Sequence, residues 1–299
     1  MIHIKIFDTH CDTVYKTHEA CIGFDNDIMH ISQNSIEKYD KYEQMFAIWS
    51  NPKRDANGCF EHYKLVKQFY NKEILPCKND NFIPHLAVEG GALLDNDITR
   101  LDMLKQDGVR MMTLVWRDEC CMGGAHNNNI GLSNFGKDAV KRMCELGIIP
   151  DVSHASDKMT YETLDIARGY GIPVCASHSN SRKIHSCTRN LTDDMFLEIK
   201  NNNGLVGINL YPNFLEDTDI KNANITSIIR HIEHFLSLGG EDTICLGCDF
   251  DGVDALPDGI KSVKDLDKLY AELIKINYSQ QLVEKIFYNN AHNFFEQHK

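Results

Sequence analysis

The sequence predicts an α/β protein, a (β/α)8 TIM-like barrel, on three observations. Eight short apolar stretches recur along the chain. Segments of helical periodicity separate them, and five of the eight run into residues that bind metals. Strands buried on both faces of a parallel sheet read as near-continuous apolar runs. Their alternation with helices implies right-handed βαβ units. An open, doubly wound sheet is the structural alternative.

The expected strands are Ile2–Phe7, Gln44–Trp49, Phe82–Val88, Val109–Val115, Ile148–Val152, Pro173–Ala176, Leu205–Leu210 and Thr243–Gly247. Between them, Lys137–Leu146 places Val140, Met143 and Cys144 on one helical face and stops at Gly147. Thr192-Asp193-Asp194 reads as a helix start, a capping hydroxyl followed by carboxylates at the positive end of the dipole. Ile225, Ile228, Ile229, Ile232, Phe235 and Leu236 form an i, i+3, i+4 stripe ending at Gly239-Gly240. His231 and His234 are expected near the polar side of that helix. No repeat, low-complexity tract or linker interrupts the pattern. The chain of 299 residues is read as a single barrel domain, residues 1–299, whose C-terminal helices, about 261–298, pack on the barrel's bottom or flank.

A net charge of −12, from 43 acidic and 31 basic residues, disfavours a nucleic-acid partner, because phosphate binding needs clustered Lys and Arg. No apolar run approaches the roughly 18 residues a membrane span needs, and no signal peptide opens the sequence. The 11 cysteines are odd in number and no signal peptide accompanies them, so reduced thiols and a cytoplasmic location are expected. The sequons at Asn190, Asn224 and Asn277 are then coincidental.

Barrel active sites gather at the carboxyl ends of the strands. There the sequence places His10-Cys11-Asp12, Glu89-Gly90-Gly91, Trp116-Arg117-Asp118-Glu119, Asp151-Val152-Ser153-His154, Ser177-His178 and Cys248-Asp249-Phe250-Asp251. Residues i and i+2 of an extended chain point to one side, so His10 and Asp12 can share a metal while Cys11 points away. Imidazole and carboxylate ligands suit zinc. Glu89 has two oxygens and can bridge two ions, with His154 and His178 completing the ligand set of the second ion. Asp8 shares His10's face by the same period and would support it. Each signal alone is ordinary surface polarity or turn chemistry. Their convergence on one rim is what points to a metal centre.

With these residues in hand, the chain resembles the renal (membrane) dipeptidase family, the M19 metallopeptidases of the amidohydrolase superfamily. The resemblance runs from Phe7 to Asn293 and is carried by FDTHCDT, HLAVEGG, GVRMMTLVW, GLSNFGKDAVKRMCELGIIPDVSHAS, CASHSNSRKIHSCTRNLTDDM, GLVGINLYPNF and CLGCDFDGV. It implies a distorted barrel with two zinc ions bridged by Glu89 and a water or hydroxide. His10 and Asp12 would hold one ion, and His154 and His178 the other. Arg189 matches the arginine that contacts the substrate's carboxylate or carbonyl end. Asp249 matches the acid that moves the proton. Trp116 stands where many members carry a substrate-contacting histidine, and Phe214 where some carry a tyrosine. Trp116 would wall the substrate pocket, and His126, in the following loop, is a candidate for the missing imidazole.

The expected function is therefore zinc-dependent hydrolysis of dipeptides, including those with a C-terminal D-residue, by attack of the bridging hydroxide on the carbonyl. A related binuclear amidohydrolase acting on N-acyl amino acids, lactones or cyclic amides is the alternative. A metal-binding barrel without catalysis is a second. Those other barrels often bridge their metals with a modified lysine on strand 4, and Val109–Val115 contains none. The resemblance also implies a homodimer.

Overall fold

The computed structural model describes residues 3–51, 53–216 and 222–299. Among these, eight strands pair in parallel and in chain order: β1 (Lys5–Cys11), β2 (Lys41–Trp49), β3 (Phe82–Glu89), β4 (Val109–Thr113), β5 (Ile149–Asp151), β6 (Cys175–Ala176), β7 (Leu205–Ile208) and β8 (Ile244–Leu246). Asp8 lies opposite Leu246, so β8 returns to β1 and the sheet closes into the expected barrel.

Alternation along the strands divides the apolar residues into two cores. Phe7, Met45, Met111, Ile149, Leu205 and Cys245 fill the barrel interior. Tyr288, Ala291, Phe294 and Phe295 pack on that cluster, so the C-terminal segment closes the barrel at the end away from the ligand-bearing strand ends. The outward residues, among them Ile6, Phe46, Leu86, Met112 and Val206, pack beneath the surrounding helices.

The strand limits shift from those read in the sequence. Strand β1 begins at Lys5 and runs on through His10 and Cys11, and Ile2 of the expected strand lies outside the described residues. Its register with β2 slips between Asp8 and Cys11, a bulge that breaks the simple period of two. Asp8 meets the backbone around His10 and not its ring. Its Oδ1 accepts from the amides of Cys248 (2.8 Å) and His10 (3.3 Å), joining β1 to the segment after β8. Strands β4 and β7 end two residues earlier than expected, and β5 and β8 one residue earlier, where the chain turns out of the ladder towards the site residues; β6 is shorter only at its start. His154 and Asp249 sit at φ 71° and 60° there.

The helices follow local chemistry. Asn134–Leu146 starts one turn earlier than Lys137, capped by Ser133 Oγ, which accepts from Gly136 N at 2.8 Å. It ends at Gly147 in the left-handed region, φ 68°, as expected. Thr192 caps Asp193–Asn201 by accepting from Met195 N at 3.1 Å. Ile225–Ser237 buries Ile228, Ile229, Ile232 and Phe235 as its pattern demands.

His231 departs from the expectation of a polar face. It lies three residues after Ile228 and four before Phe235, on the buried stripe, and is fully buried. Its Nδ1 accepts from Ser181 N (3.0 Å) and its Nε2–H donates to Leu215 O (2.8 Å), so the neutral ring staples this helix to the segments after β6 and β7. Burial pushes its pKa down to about 4. The unfolded chain, with an ordinary histidine pKa, takes up the proton first as pH falls. The stabilisation is complete above pH ~6.5 and is lost towards the folded value, by roughly 3 kcal/mol in all. Urea unfolding at pH 7 and pH 4.5 should show this component in the wild type and its loss in His231→Gln. An unchanged pH slope in the variant would remove His231 from the account.

Candidate metal centre

The barrel brings the expected ligands together at its mouth. Glu89 ends β3, buried between two groups of imidazoles. Its Oε1 lies 3.0 Å from His154 Nε2 and 3.6 Å from His178 Nε2. Its Oε2 lies 3.8 Å from His10 Nε2, which is in turn 3.6 Å from Asp12 Oδ2 and 3.8 Å from Asp249 Oδ1. The ligand atoms of His10, Glu89 and His178 all lie within 4.8 Å of one another, as do those of His10, Asp12 and Asp249. Asp249 thus sits as close to the first group as its ligands do. The two oxygens of Glu89 face different partners, which is the disposition a bridging carboxylate requires.

Burial and crowding set the charge states of these groups. Burial, reinforced by Asp12, pushes the Glu89 carboxyl well above its usual range. Burial also lifts Asp249, to about 6, with Asp12 adding to it and His10 opposing. His10 is driven the other way: burial disfavours its charge, but Glu89, Asp12 and Asp249 raise it to about 10. Burial holds His154 and His178 well below the ordinary histidine value. Both ring nitrogens of His10 are buried with no hydrogen-bond partner. An orphaned imidazole among three carboxylates fits a divalent ion, because a cation supplies the missing partner and relieves the crowded carboxylates.

A second layer holds the ligands. Asp151, fully buried, accepts from Ser153 N (3.0 Å), Ser177 N (2.9 Å), Thr113 Oγ1 (2.5 Å) and Ser177 Oγ (2.5 Å). The Ser177 hydroxyl is also 2.7 Å from His178 Nδ1, so donating to Asp151 leaves it an acceptor for Nδ1–H and turns the Nε2 lone pair of His178 inward. Asn209 Nδ2 donates to Asp249 Oδ2 at 3.0 Å, leaving Oδ1 towards the site. Gly252 lies so near Asp249 Oδ1 and Asp12 Oδ2 that a Cβ there would collide with both. No role was expected for Asp151, Ser177 or Asn209, although each ends a strand beside a ligand.

A cleft of about 540 Å³ adjoins the centre, with Asp12, Glu89, His154 and Asp249 at its base. Trp116, half-exposed, forms part of the wall and meets Trp49 edge-on at 4.7 Å between centroids. His126 also lines it, its Nδ1 3.1 Å from Thr188 Oγ1 and its amide donating to His154 O at 2.8 Å. Burial, with Arg189 and Arg117 nearby, lowers His126 to about 4. Arg189 is buried behind the wall: its Nη1 donates to Ser179 Oγ (2.9 Å), its Nη2 to His178 O (3.0 Å), and its guanidinium lies over the Phe214 ring. Arg117, at the strand end named in the sequence, also lines the cleft, together with Tyr211 and Asp254, for which the sequence suggests no role. Only their positions after strand ends could have marked them.

His, Glu and Asp clusters compatible with a binuclear centre, at the carboxyl rim of a closed parallel barrel, define the class of metal-dependent hydrolase barrels. The model of one family, described as membrane dipeptidase (peptidase family M19), matches residues 61–299, and the chain belongs to that family. The matched region contains Glu89, His154, His178, Arg189 and Asp249, whereas His10 and Asp12 precede it. An uncharacterized protein in the pqqA 5' region of Klebsiella pneumoniae is 30% identical over 73% of this chain and 83% of its own. Dipeptidase 3 of Rattus norvegicus is 29% identical over 71% of this chain, and the match spans 44% of that longer protein. In fold, the chain matches a metallopeptidase from Rhodobacter sphaeroides liganded with a phosphinate mimic of the dipeptide L-Ala-D-Ala, at a TM-score of 0.85, 22% identity and full coverage of both chains. It also matches the probable dipeptidase PvdM from Pseudomonas aeruginosa, at 0.88 and 18% identity over 98% and 94% of the two chains. Among the described residues no helix is long and apolar enough to cross a membrane.

The Ser177 link gives a test of the second layer. Ser177→Ala should weaken metal binding about 10–100-fold while the fold is kept. Chelator competition followed by circular dichroism checks both. Unchanged metal affinity would mean that His178 orients itself without the serine.

Proposed function

We propose that this chain is a zinc-dependent dipeptidase. The observation that carries the reading is Glu89, whose Oε1 and Oε2 face His154 with His178 and His10 with Asp12 respectively. These five residues would hold two zinc ions. When bound, such ions supply an activated water and polarise the scissile carbonyl.

The chain's own groups do the rest. Asp249 Oδ1, free while Oδ2 is held by Asn209, accepts the proton of the attacking water and returns it to the leaving amine. A dipeptide carries a carboxylate at one end and an ammonium at the other. Arg189, whose Nε has no partner, and Arg117 supply positive charge for the carboxylate. Asp254, beside the Tyr211 hydroxyl on the same cleft, supplies negative charge for the ammonium. Trp116 and Phe214 give the cleft apolar surface that limits water around the bond. His126 is in reach of the same space and takes the position of the imidazole that Trp116 does not provide. The free state of all eleven cysteines fits a reducing, cytoplasmic setting.

Two substitutions separate holding the metal from moving the proton. Glu89→Ala should lose most of the bound zinc together with nearly all hydrolysis, and a purified variant retaining two zinc ions would show that it does not bridge. Asp249→Asn should lower kcat by about 10²–10⁴ with zinc still bound, in line with removal of a general acid–base group. Near-normal turnover would exclude it from proton transfer.

A panel of L-L and L-D dipeptides, C-terminal amides and N-acyl amino acids defines the substrate. Hydrolysis of the dipeptides, with Arg189→Ala raising KM for free carboxylates more than for amides, is the expected result. Hydrolysis confined to N-acyl amino acids, lactones or cyclic amides would assign a different amidohydrolase reaction. Zinc binding without any hydrolysis would assign a binding role.

A further inference from the structure

We infer that His18, Glu19 and His62 form a separate binding site for one zinc-type divalent ion, outside the barrel mouth. His18 and Glu19 end the helix Thr13–Glu19, and His62 lies on the helix Ala56–Phe69. His62 Nε2 is 2.9 Å from Glu19 Oε1, and His18 Nδ1 is 3.6 Å from the same oxygen. The two rings meet edge-on at 5.5 Å, and one ligand atom from each of the three residues lies within 4.8 Å of the other two. Ligand atoms held about 2.0–2.1 Å from a tetrahedral ion are about 3.3 Å apart, so this triangle brackets the required size.

An ordinary hydrogen bond between His62 and Glu19, with Arg54 Nη2 3.9 Å from the same carboxylate oxygen, accounts for two of the three groups. It does not account for His18. The Nδ1 atom of His18 is shielded from solvent and has no hydrogen-bond partner, although it faces the Glu19 carboxylate. A shielded, unpaired ring nitrogen costs stability unless something binds it. An ion drawing on all three residues satisfies that nitrogen and needs only small side-chain adjustments. The His62 side chain is 5% exposed and anchors the site, while that of Glu19 is 41% exposed and leaves an open side for a water ligand and for entry of the ion. Two imidazoles and one carboxylate select a borderline ion such as Zn2+ over Mg2+ or Ca2+, which take oxygen ligands.

The position has a structural consequence. The helix that ends in His18 and Glu19 begins directly after Asp12. Its Tyr15 ring contacts both His62 (5.5 Å) and Trp49 (5.1 Å), and Trp49 backs Trp116 in the cleft wall. An ion here clamps that helix to Ala56–Phe69, well away from the reacting atoms. The site does not depend on the dipeptidase reading.

The experiment compares zinc content after equilibrium dialysis for the wild type, His18→Ala and Glu19→Gln, two variants at partly exposed positions that leave the barrel ligands untouched. Each variant should bind one zinc fewer per chain than the wild type, with hydrolysis per chain unchanged. Titration with Co2+ should show a visible absorption step in the wild type that both variants lack. Equal zinc content in all three proteins would overturn the proposal. So would displacement of the extra zinc by an equal concentration of Mg2+ or Ca2+, because the donor set would then not be selecting the ion.

Discussion

Asp12, Glu89 and Asp249 are nearly withdrawn from water and face one another across the mouth of the barrel. In water such carboxylates would be ionised and well solvated. Here Glu89 and Asp249 lose solvent and gain like-charged neighbours, a combination that raises their carboxyl pKa. The imidazoles of His154 and His178 are held neutral by the same burial, so they balance none of that charge. His10 alone is driven towards its charged form. A neutral pair of histidines, a carboxylate whose two oxygens face different imidazoles and an orphaned imidazole would be mutually satisfied by cations among them. The rest of the site is arranged to preserve this composition.

That arrangement rests on rigid strand ends and a few unusual backbone positions. Closure of the parallel sheet aims every strand's carboxyl end at one rim, so residues far apart in sequence meet without long loops. Three residues there, His154, Asp249 and Asp251, hold positive φ values, a conformation costly outside glycine. Their surroundings hold them in place. Asp251 takes the Thr13 hydroxyl at 2.6 Å and the His30 amide at 2.8 Å, which fixes the turn after β8 against the start of the first helix. Asp151 gathers four donors from β4, β5 and β6 and so sets the spacing of His154 and His178. Strain at the ligands is offset by hydrogen bonds one layer behind them.

The clustering of His, Asp and Glu side chains at one rim was legible in the sequence because strand periodicity and residue chemistry report on the same positions. An apolar run followed by His, Asp or Glu needs no knowledge of long-range geometry once the barrel is inferred. Other features depend on contacts that the pattern does not contain. The bulge in β1 lets His10 reach the mouth and turns Asp8 to backbone amides, yet a bulge adds a residue without changing composition. The residue type of His231 suggests a polar face, whereas its i, i+3, i+4 spacing to Ile228 and Phe235 puts it inside, where the structure has it. Asp151 and Ser177 act through hydrogen bonds between neighbouring strands, and Arg117 becomes part of the cleft only when the loop after β4 folds back.

The same loop determines how the cleft differs from a purely polar site. Trp116 gives the cleft a large apolar face, and Trp49 supports it from behind. Asp254 and Tyr211 bring polar groups to the same cleft. His126 is tied to the His154 carbonyl through its own amide, so the loop's polar contribution is fixed to the same turn that presents a ligand. Arg189 is fixed in the same way, through the His178 carbonyl. Groups suited to recognise a substrate are thus bonded to the backbone of groups suited to hold metal. A change that loosens the ligand turns would misplace both at once, which makes recognition and catalysis at this rim a single structural problem.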